Sequence, residues 1–127
     1  MIRMTLAATA VTVLTAASPA AAATSRPAGT ELVLSYQSEA GFAAAVLLSC
    51  RPDGGGHPKG RKACAALRKV GGKPARLRAA PDAICTLEYA PITAEITGTW
   101  KGRKVDWSKT FGNRCDLTRT TGVIFAF

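Results

Sequence analysis

Residues 91–111, PITAEITGTWKGRKVDWSKTF, decide the architecture of this chain. Their first half alternates apolar and polar side chains from Ile92 to Trp100, the period of a strand with one buried face. Lys101-Gly102-Arg103 then predicts a turn, and residues 104–111 predict a partner strand. Because a hairpin joins antiparallel strands, this stretch predicts an antiparallel sheet.

Segments upstream of the hairpin add two strands and a helix. Residues 31–36 predict a strand, and residues 42–50 predict another, although their composition also suits a buried helix. Residues 60–70 predict a helix, since apolar side chains recur at i, i+4 and i+7 and Gly71-Gly72 follows.

The remaining segments complete the expected fold. Residues 51–59, rich in glycine and proline, predict a long loop. Residues 75–79 predict a short second helix or a turn, and residues 122–127 predict a terminal strand. Strands then outnumber helices. The expected class is α+β, with a single antiparallel sheet and helices packed on one face.

The amino terminus has the pattern of a secretory signal peptide. Arg3 precedes an apolar run over residues 5–17, and residues 20–23 offer small-residue cleavage sites. The run is too short to span a bilayer well, which favours cleavage over a permanent anchor. We therefore expect a signal peptide over residues 1–23, a flexible arm over 24–30, one domain over 31–127, and a secreted, extracellular protein.

Four cysteines in a short exported domain predict two disulfides. Three connectivities are open, and we favour the pairing of neighbours, Cys50 with Cys64 and Cys85 with Cys115. There is no C-x-x-C motif and only one histidine, so a zinc site is disfavoured and no metal or cofactor is expected.

The chain has 17 Lys and Arg against 8 Asp and Glu, a formal net charge of +9. The basic residues fall in scattered groups with few aromatic residues among them, and no nucleic-acid motif accompanies them. Ordinary solubilising charge is the simpler interpretation, so no specific nucleic-acid partner is expected. A basic polyanion-binding protein is an alternative, and it would bind in a strongly salt-dependent way.

Evidence for an active site is weak. His57 is the single histidine, and no Gly-x-Ser-x-Gly elbow or acid partner accompanies it. Gly54-Gly55-Gly56 lacks the Lys-Ser/Thr of a phosphate loop, and nothing brings Asp82 and Glu88 together. We do not expect an enzyme. A secreted hydrolase is the competing hypothesis, and it predicts activity that is lost in His57→Ala.

The segment 84–91, ICTLEYAP, lies between the second pair of cysteines. A half-cystine near one end and Pro91 at the other limit the motion of the backbone. In an extended chain, Leu87 and Tyr89 point the same way and Glu88 points the opposite way. Such a segment can present a side chain to a protease, or it can be a connection whose apolar residues pack inward. Spacing alone does not decide.

The chain resembles the Streptomyces subtilisin inhibitor family over residues 31–127. The resemblance is carried by motifs that recur at the family's spacings. They are Leu32-Val33-Leu34, His57-Pro58, Ala63-Cys64-Ala65, Val70-Gly71-Gly72, Cys85-x-x-x-Tyr89-x-Pro91, Trp100-x-Gly102-x-x-Val105, Phe111-x-Asn113-x-Cys115 and Val123-x-Phe125-Ala126-Phe127.

The resemblance implies a secreted inhibitor of serine proteases. Its targets would be subtilisin-like proteases and, because Leu87 is apolar, also chymotrypsin-like proteases. It implies five antiparallel strands with two helices, a homodimer formed through sheet faces, and the same pairing of cysteines. It places the scissile bond at Leu87–Glu88. The other implied site residues are the loop contacts Ile84, Thr86, Tyr89 and Ala90 and the loop supports Cys85, Pro91, Asn113 and Cys115.

Two residues of the segment depart from the family's best-known member. Thr86 replaces a proline, which lowers loop stiffness. Glu88 replaces an apolar residue and disfavours enzymes with acidic rims. Relatives of this family also act as substrates or regulators in secreted transglutaminase systems, and that role is a further alternative.

Overall fold

The computed structural model describes residues 8–18 and 29–127, and every structural statement below refers to them. Residues 8–18 form neither helix nor strand. The strands are β1 (Thr30–Ser38), β2 (Ala43–Cys50), β3 (Gly54–Gly55), β4 (Ile92–Trp100) and β5 (Arg103–Phe111). The helices are α1 (Gly60–Lys69) and α2 (Arg114–Thr121), with short 3-10 helices at Pro74–Arg76 and Gly122–Phe125.

The five strands form one antiparallel sheet in the order β3-β2-β1-β4-β5. The central strand β1 fixes the register, since Leu34 lies opposite Val46 on one side and Ile96 on the other. Leu34 and Ile96 are fully buried, whereas their neighbour Val33 lies on the opposite, exposed face. One face of the sheet therefore carries the core, and the predicted α+β class is confirmed.

The decisive hairpin forms as predicted, with a tighter turn. Lys101 and Gly102 alone make the turn, because Arg103 already pairs with Trp100 in the ladder. Both turn residues have positive φ, 48° and 78°, as a two-residue hairpin turn of type I′ requires. The Thr30 hydroxyl accepts a hydrogen bond from the Lys101 N–H at 3.0 Å, which ties the turn to β1.

Helix α1 covers the buried face and is confirmed. Its Ala63, Cys64 and Leu67 are fully buried. Gly72, just beyond the helix, has a φ of 70°, and a β-carbon there would lie 2.2 Å from Cγ of the Trp100 ring. Only glycine permits this close approach of the chain to the end of β4.

The predicted terminal strand over residues 122–127 is wrong. Residues Gly122–Phe125 form a 3-10 helix, in which consecutive side chains Ile124 and Phe125 are both buried. A strand would turn one of them to the opposite face. The fifth strand is instead the two-residue β3. It lies inside the predicted loop 51–59 and pairs with Leu48 and Ser49 of β2.

The second helix also lies elsewhere than predicted. Residues 75–79 contribute only to the 3-10 helix Pro74–Arg76, and the second α-helix is Arg114–Thr121. Its N-cap is Asn113, whose Oδ1 accepts a hydrogen bond from the Asp116 N–H at 2.9 Å. The sequence contained this signal, because an Asn followed three residues later by an acidic residue is typical of a helix start.

The predicted pairing of neighbouring cysteines is confirmed. Cys50 is bonded to Cys64 with the α-carbons 5.8 Å apart, which fixes α1 to the end of β2. Cys85 is bonded to Cys115 with the α-carbons 5.6 Å apart, which fixes the segment before β4 to the first turn of α2.

No helix in the described part of the chain is long and apolar enough to cross a membrane.

Candidate functional site

The segment that precedes β4 is exposed and has no regular secondary structure. Leu87 is fully exposed, and Ile84 and Tyr89 are 95% and 82% exposed. Thr86, Glu88 and Ala90 are exposed as well. The interpretation in which the apolar residues pack inward is therefore wrong. We call residues 84–90 the reactive loop, after the role that the family resemblance implies for them.

The reactive loop is anchored at both ends. The Cys85–Cys115 disulfide joins its start to α2. At its other end Pro91 is buried, and the Pro91 carbonyl accepts a hydrogen bond from the Glu39 N–H at 3.1 Å. The Ala90 N–H donates to the Gly112 carbonyl at 2.8 Å. These contacts restrict the loop without covering its side chains.

Asn113 lies beneath the middle of the loop and is buried. Its Nδ2 donates hydrogen bonds to the Thr86 carbonyl at 3.1 Å and to the Glu88 carbonyl at 2.8 Å. These two carbonyls belong to the residues on either side of Leu87. One amide group thus fixes the backbone around the exposed leucine while its oxygen caps α2.

Asn113→Asp separates these two roles. Aspartate is as good an N-cap as asparagine, but its carboxylate cannot donate to the Thr86 and Glu88 carbonyls. If the reactive loop binds proteases, we expect inhibition to weaken by at least about tenfold, as the loss of one or two net hydrogen bonds predicts. The melting temperature is expected to fall as well, because the new carboxylate is buried against two carbonyl oxygens. Inhibition kinetics and thermal unfolding measured on the same preparation test this, and unchanged inhibition would contradict a bracing role.

A groove of about 670 Å³ lies beside the loop, between it and the turn that joins β1 to β2. Phe42 in this turn is 72% exposed, and Tyr36 and Ile92 line the groove. No local pattern in the sequence indicates that Phe42 is a neighbour of the loop. The two segments are brought together by the register of β1 with β4, in which Ser38 lies opposite Ile92, and by the hydrogen bond from the Glu39 N–H to the Pro91 carbonyl.

His57 is buried and both of its ring nitrogens contact backbone groups. Nδ1 accepts a hydrogen bond from the Lys59 N–H, and Nε2 lies 2.9 Å from the Ile124 carbonyl, to which it donates. The ring also packs edge-on against Phe127. This histidine holds the loop before α1 against the carboxyl-terminal segment, an arrangement that suits a structural role rather than a general base.

One group of possible metal-ligand atoms occurs among the described residues, formed by Cys50, Asp53 and Cys64. The two sulfur atoms are joined in a disulfide, so they cannot act as thiolate ligands. The group does not fit a metal ion.

A fully exposed apolar side chain on a loop fixed from both ends and from below is an arrangement that can present a peptide segment to a partner with little loss of entropy on binding.

Comparisons with known proteins indicate the class of protein. The sequence matches the family described as "Subtilisin inhibitor-like" over residues 27–113, and the chain belongs to that family. It is 49% identical over 86 residues to Subtilisin inhibitor-like protein 1 of Streptomyces cacaoi, covering 65% of this chain and 78% of that protein. It is 39% identical over 117 residues to a subtilase-type protease inhibitor of Streptomyces coelicolor, covering 87% and 81%.

A solved structure is similar over nearly the whole of its own chain. It is Streptomyces caespitosus sermetstatin in complex with Bacillus licheniformis subtilisin, with a TM-score of 0.67, 28% identity, and coverage of 78% of this chain and 99% of that one. The family is one of protease inhibitors and not of enzymes.

Proposed function

We propose that the protein inhibits subtilisin-like serine proteases by binding them as a substrate does, with Leu87–Glu88 as the scissile bond. The observation that carries this proposal is Leu87 itself. Its side chain is fully exposed, and the carbonyls on either side of it are held by a single buried amide, that of Asn113. Ile84 and Tyr89 are also exposed on this ordered loop, and a group of exposed apolar side chains indicates a partner surface.

Binding strength follows from two terms. Burial of Leu87 in an apolar specificity pocket contributes about 2 to 3 kcal/mol. The backbone of an extended loop also pairs with the edge of the enzyme cleft through hydrogen bonds. Since the Cys85–Cys115 disulfide and Asn113 order the loop beforehand, binding does not bear the entropy cost that a flexible peptide would.

The same contacts explain inhibition in place of turnover. After cleavage of Leu87–Glu88, the Cys85 side stays bonded to Cys115, and the Glu88 side stays hydrogen-bonded to Asn113 and, through Ala90, to Gly112. The new amino group of Glu88 therefore remains close to the carbonyl of Leu87. Resealing of the bond competes with release of the product.

Leu87 sets the range of targets. An apolar pocket of the subtilisin type or of the chymotrypsin type accepts leucine. Thr86 and Glu88 are exposed on either side, so both can contact the enzyme, and Glu88 selects against targets with acidic rims.

Titration of subtilisin activity with the purified protein tests the function. We expect a stoichiometric end point, at which one reactive loop abolishes one active site. Activity that persists at a large excess of intact protein would contradict the proposal.

We propose further that the protein acts outside the cell. Two disulfides in a domain of this size are typical of exported proteins. Residues 1–7 and 19–23 of the predicted signal peptide and residues 24–28 of the predicted arm lie outside the described residues, so both segments stay predictions.

We also propose a homodimer that forms through the outer face of the sheet. Val33 and Leu47 lie opposite each other there in the register of β1 and β2, and they are 40% and 60% exposed. Ala43 and Ala45 beside them are exposed too. A second copy of the chain would cover this apolar face and leave the reactive loop free.

Leu47→Arg tests the dimer. A charge at the centre of an apolar interface is expected to raise the dimer dissociation constant by at least about a hundredfold, since burying it unpaired costs several kcal/mol. Analytical ultracentrifugation over a range of concentrations measures the change. Ala65→Arg, on the exposed side of α1, is the matched control and leaves the dimer intact. Equal sedimentation of Leu47→Arg and the unaltered protein would contradict this interface.

A further inference from the structure

A strongly charged surface lies on the exposed side of α1. The outward residues of this helix are Arg61, Lys62, Ala65, Arg68 and Lys69, all exposed. Their spacing places them on one side of the helix, and ten helical residues extend about 15 Å. We call the four basic residues among them the cationic row.

The row continues onto the hairpin of β4 and β5. The Arg103 Nη2 donates a hydrogen bond to the Gly71 carbonyl at 2.8 Å, which holds the start of β5 against the end of α1. The Arg76 Nη1 lies 4.0 Å from the position of a β-carbon on Gly71, and Lys101 is exposed in the adjacent turn. Basic groups that are scattered in the sequence are thus brought near the carboxyl end of α1.

Arg61 and Lys62, at the start of the cationic row, do not stabilise α1. The first turn of α1 contains no acidic residue, and its N-cap, Lys59, makes no side-chain hydrogen bond. Arg61 and Lys62 are placed at the positive end of the helix dipole, where cations are unfavourable. Residues that break a local rule without a compensating contact in the fold point to a function outside it.

The row is also poorly neutralised. Among the described residues, its one ion pair is between Arg68 and Asp53, and the hydrogen bond from Arg68 lowers the pKa of that carboxyl. Arg61, Lys62 and Lys69 make no ion pair there, although the charge of Arg61 also acts on Asp53 and helps to lower its pKa. An anion supplied by another molecule would satisfy them.

The cationic row and the reactive loop occupy different ends of the molecule. Strand registers place the reactive loop beside Ile92 and Phe111, whereas the row ends beside Trp100 and Arg103. The row also lies on the helix side of the sheet, away from the exposed outer face that carries Val33 and Leu47. A ligand on the row would leave both other surfaces open.

We propose that the cationic row binds a linear phosphate polymer that carries no nucleobases. Guanidinium groups pair with phosphate through two parallel hydrogen bonds, and a row of charges fits a chain better than a single small anion. No large apolar or aromatic side chain among the described residues is exposed on α1, so stacking of bases has no platform there. The proposal does not rest on the protease-inhibitor function.

The test uses labelled linear inorganic polyphosphate and the double variant Arg61→Gln/Lys62→Gln. Fluorescence anisotropy at several salt concentrations gives the dissociation constant and its salt dependence. The log of the association constant falls linearly with the log of the salt concentration. Loss of two phosphate contacts is expected to make this negative slope shallower by about 1.4 and to weaken binding at low salt by about tenfold. The melting temperature is expected to rise, since two unfavourable helix charges are removed.

The control is Lys109→Gln/Arg119→Gln, which removes the same formal charge from two exposed residues of β5 and α2, outside the cationic row; Arg119 is ion-paired with Asp116. We expect its polyphosphate binding to stay close to that of the unaltered protein. An equal loss in both variants would reduce the effect to net charge and overturn the proposal. The proposal would also be overturned if heparin, or a DNA duplex at equal phosphate concentration, bound more tightly than polyphosphate. Absence of polyphosphate binding at low salt would overturn it too. Retained inhibition of subtilisin in saturating polyphosphate is expected.

Discussion

Leu87→Lys is expected to turn an inhibitor of subtilisin into an inhibitor of trypsin. An apolar pocket that accepts leucine must bury the lysine ammonium without a partner, so affinity for subtilisin should fall by at least about a hundredfold. Trypsin has a carboxylate at the base of its pocket, and affinity for that enzyme should rise by a similar factor or more. Inhibition constants for the two enzymes, measured side by side, check both halves of the exchange.

The control for this experiment is Leu87→Met, which keeps an apolar side chain of similar volume. It should retain inhibition of subtilisin and gain none of trypsin. Since Leu87 is fully exposed, neither variant should change the free energy of unfolding by more than about 0.5 kcal/mol. If the unaltered protein and both variants inhibit the two enzymes equally, Leu87 is not the residue that enters the pocket.

Removal of the Cys85–Cys115 disulfide is expected to convert the inhibitor into a substrate. The double variant Cys85→Ala/Cys115→Ala frees the start of the reactive loop, so its two ends separate after cleavage and the bond no longer reseals. Inhibition should become temporary, with cleavage going to completion. The chain-entropy estimate for a separation of 30 residues gives a loss of about 3.5 kcal/mol of stability in addition.

The second disulfide supplies a matched control. Cys50→Ala/Cys64→Ala removes a bridge of 14 residues' separation, for which the same estimate gives about 3 kcal/mol. Its stability loss is similar, but it does not touch the reactive loop. Inhibition should therefore persist in this variant at temperatures where both are folded, as checked by circular dichroism. Equally short-lived inhibition by the two variants would assign the effect to general destabilisation.

The sequence was sufficient where the signal was local. The alternation in residues 92–100 and the glycine of the Lys101-Gly102 turn predicted the β4–β5 hairpin, because a half-buried strand and a two-residue turn each leave a pattern within a few positions. The helix over residues 60–69 was predicted for the same reason, since its apolar stripe and its glycine stop are contiguous.

The carboxyl-terminal segment was mispredicted because its pattern is ambiguous. Val123, Phe125 and Phe127 alternate as in a strand, but the positive φ of Gly122, 59°, ends α2 and starts a 3-10 helix that buries Ile124 as well. Tertiary packing outweighed the local preference, since the hydroxyl of Tyr36 on β1 donates to the Phe127 carbonyl. No window of the sequence contains that contact.

The candidate site was predictable in part. The cysteines, Leu87 and Pro91 mark the reactive loop in one stretch, and the family resemblance supplied Asn113. The hydrogen bonds that place the Asn113 amide under both Thr86 and Glu88, and the proximity of Phe42, depend on the register of distant strands. Such long-range geometry is fixed by the assembled sheet and not by spacing.

The most direct test of the central claim is the mass of the protein after long incubation with a small amount of subtilisin. We predict that the unreduced chain is either intact or heavier by one water molecule. Reduction of the hydrolysed form should release two pieces, one ending at Leu87 and the other starting at Glu88. Cleavage at other bonds first, or degradation without inhibition, would contradict substrate-like inhibition through Leu87–Glu88.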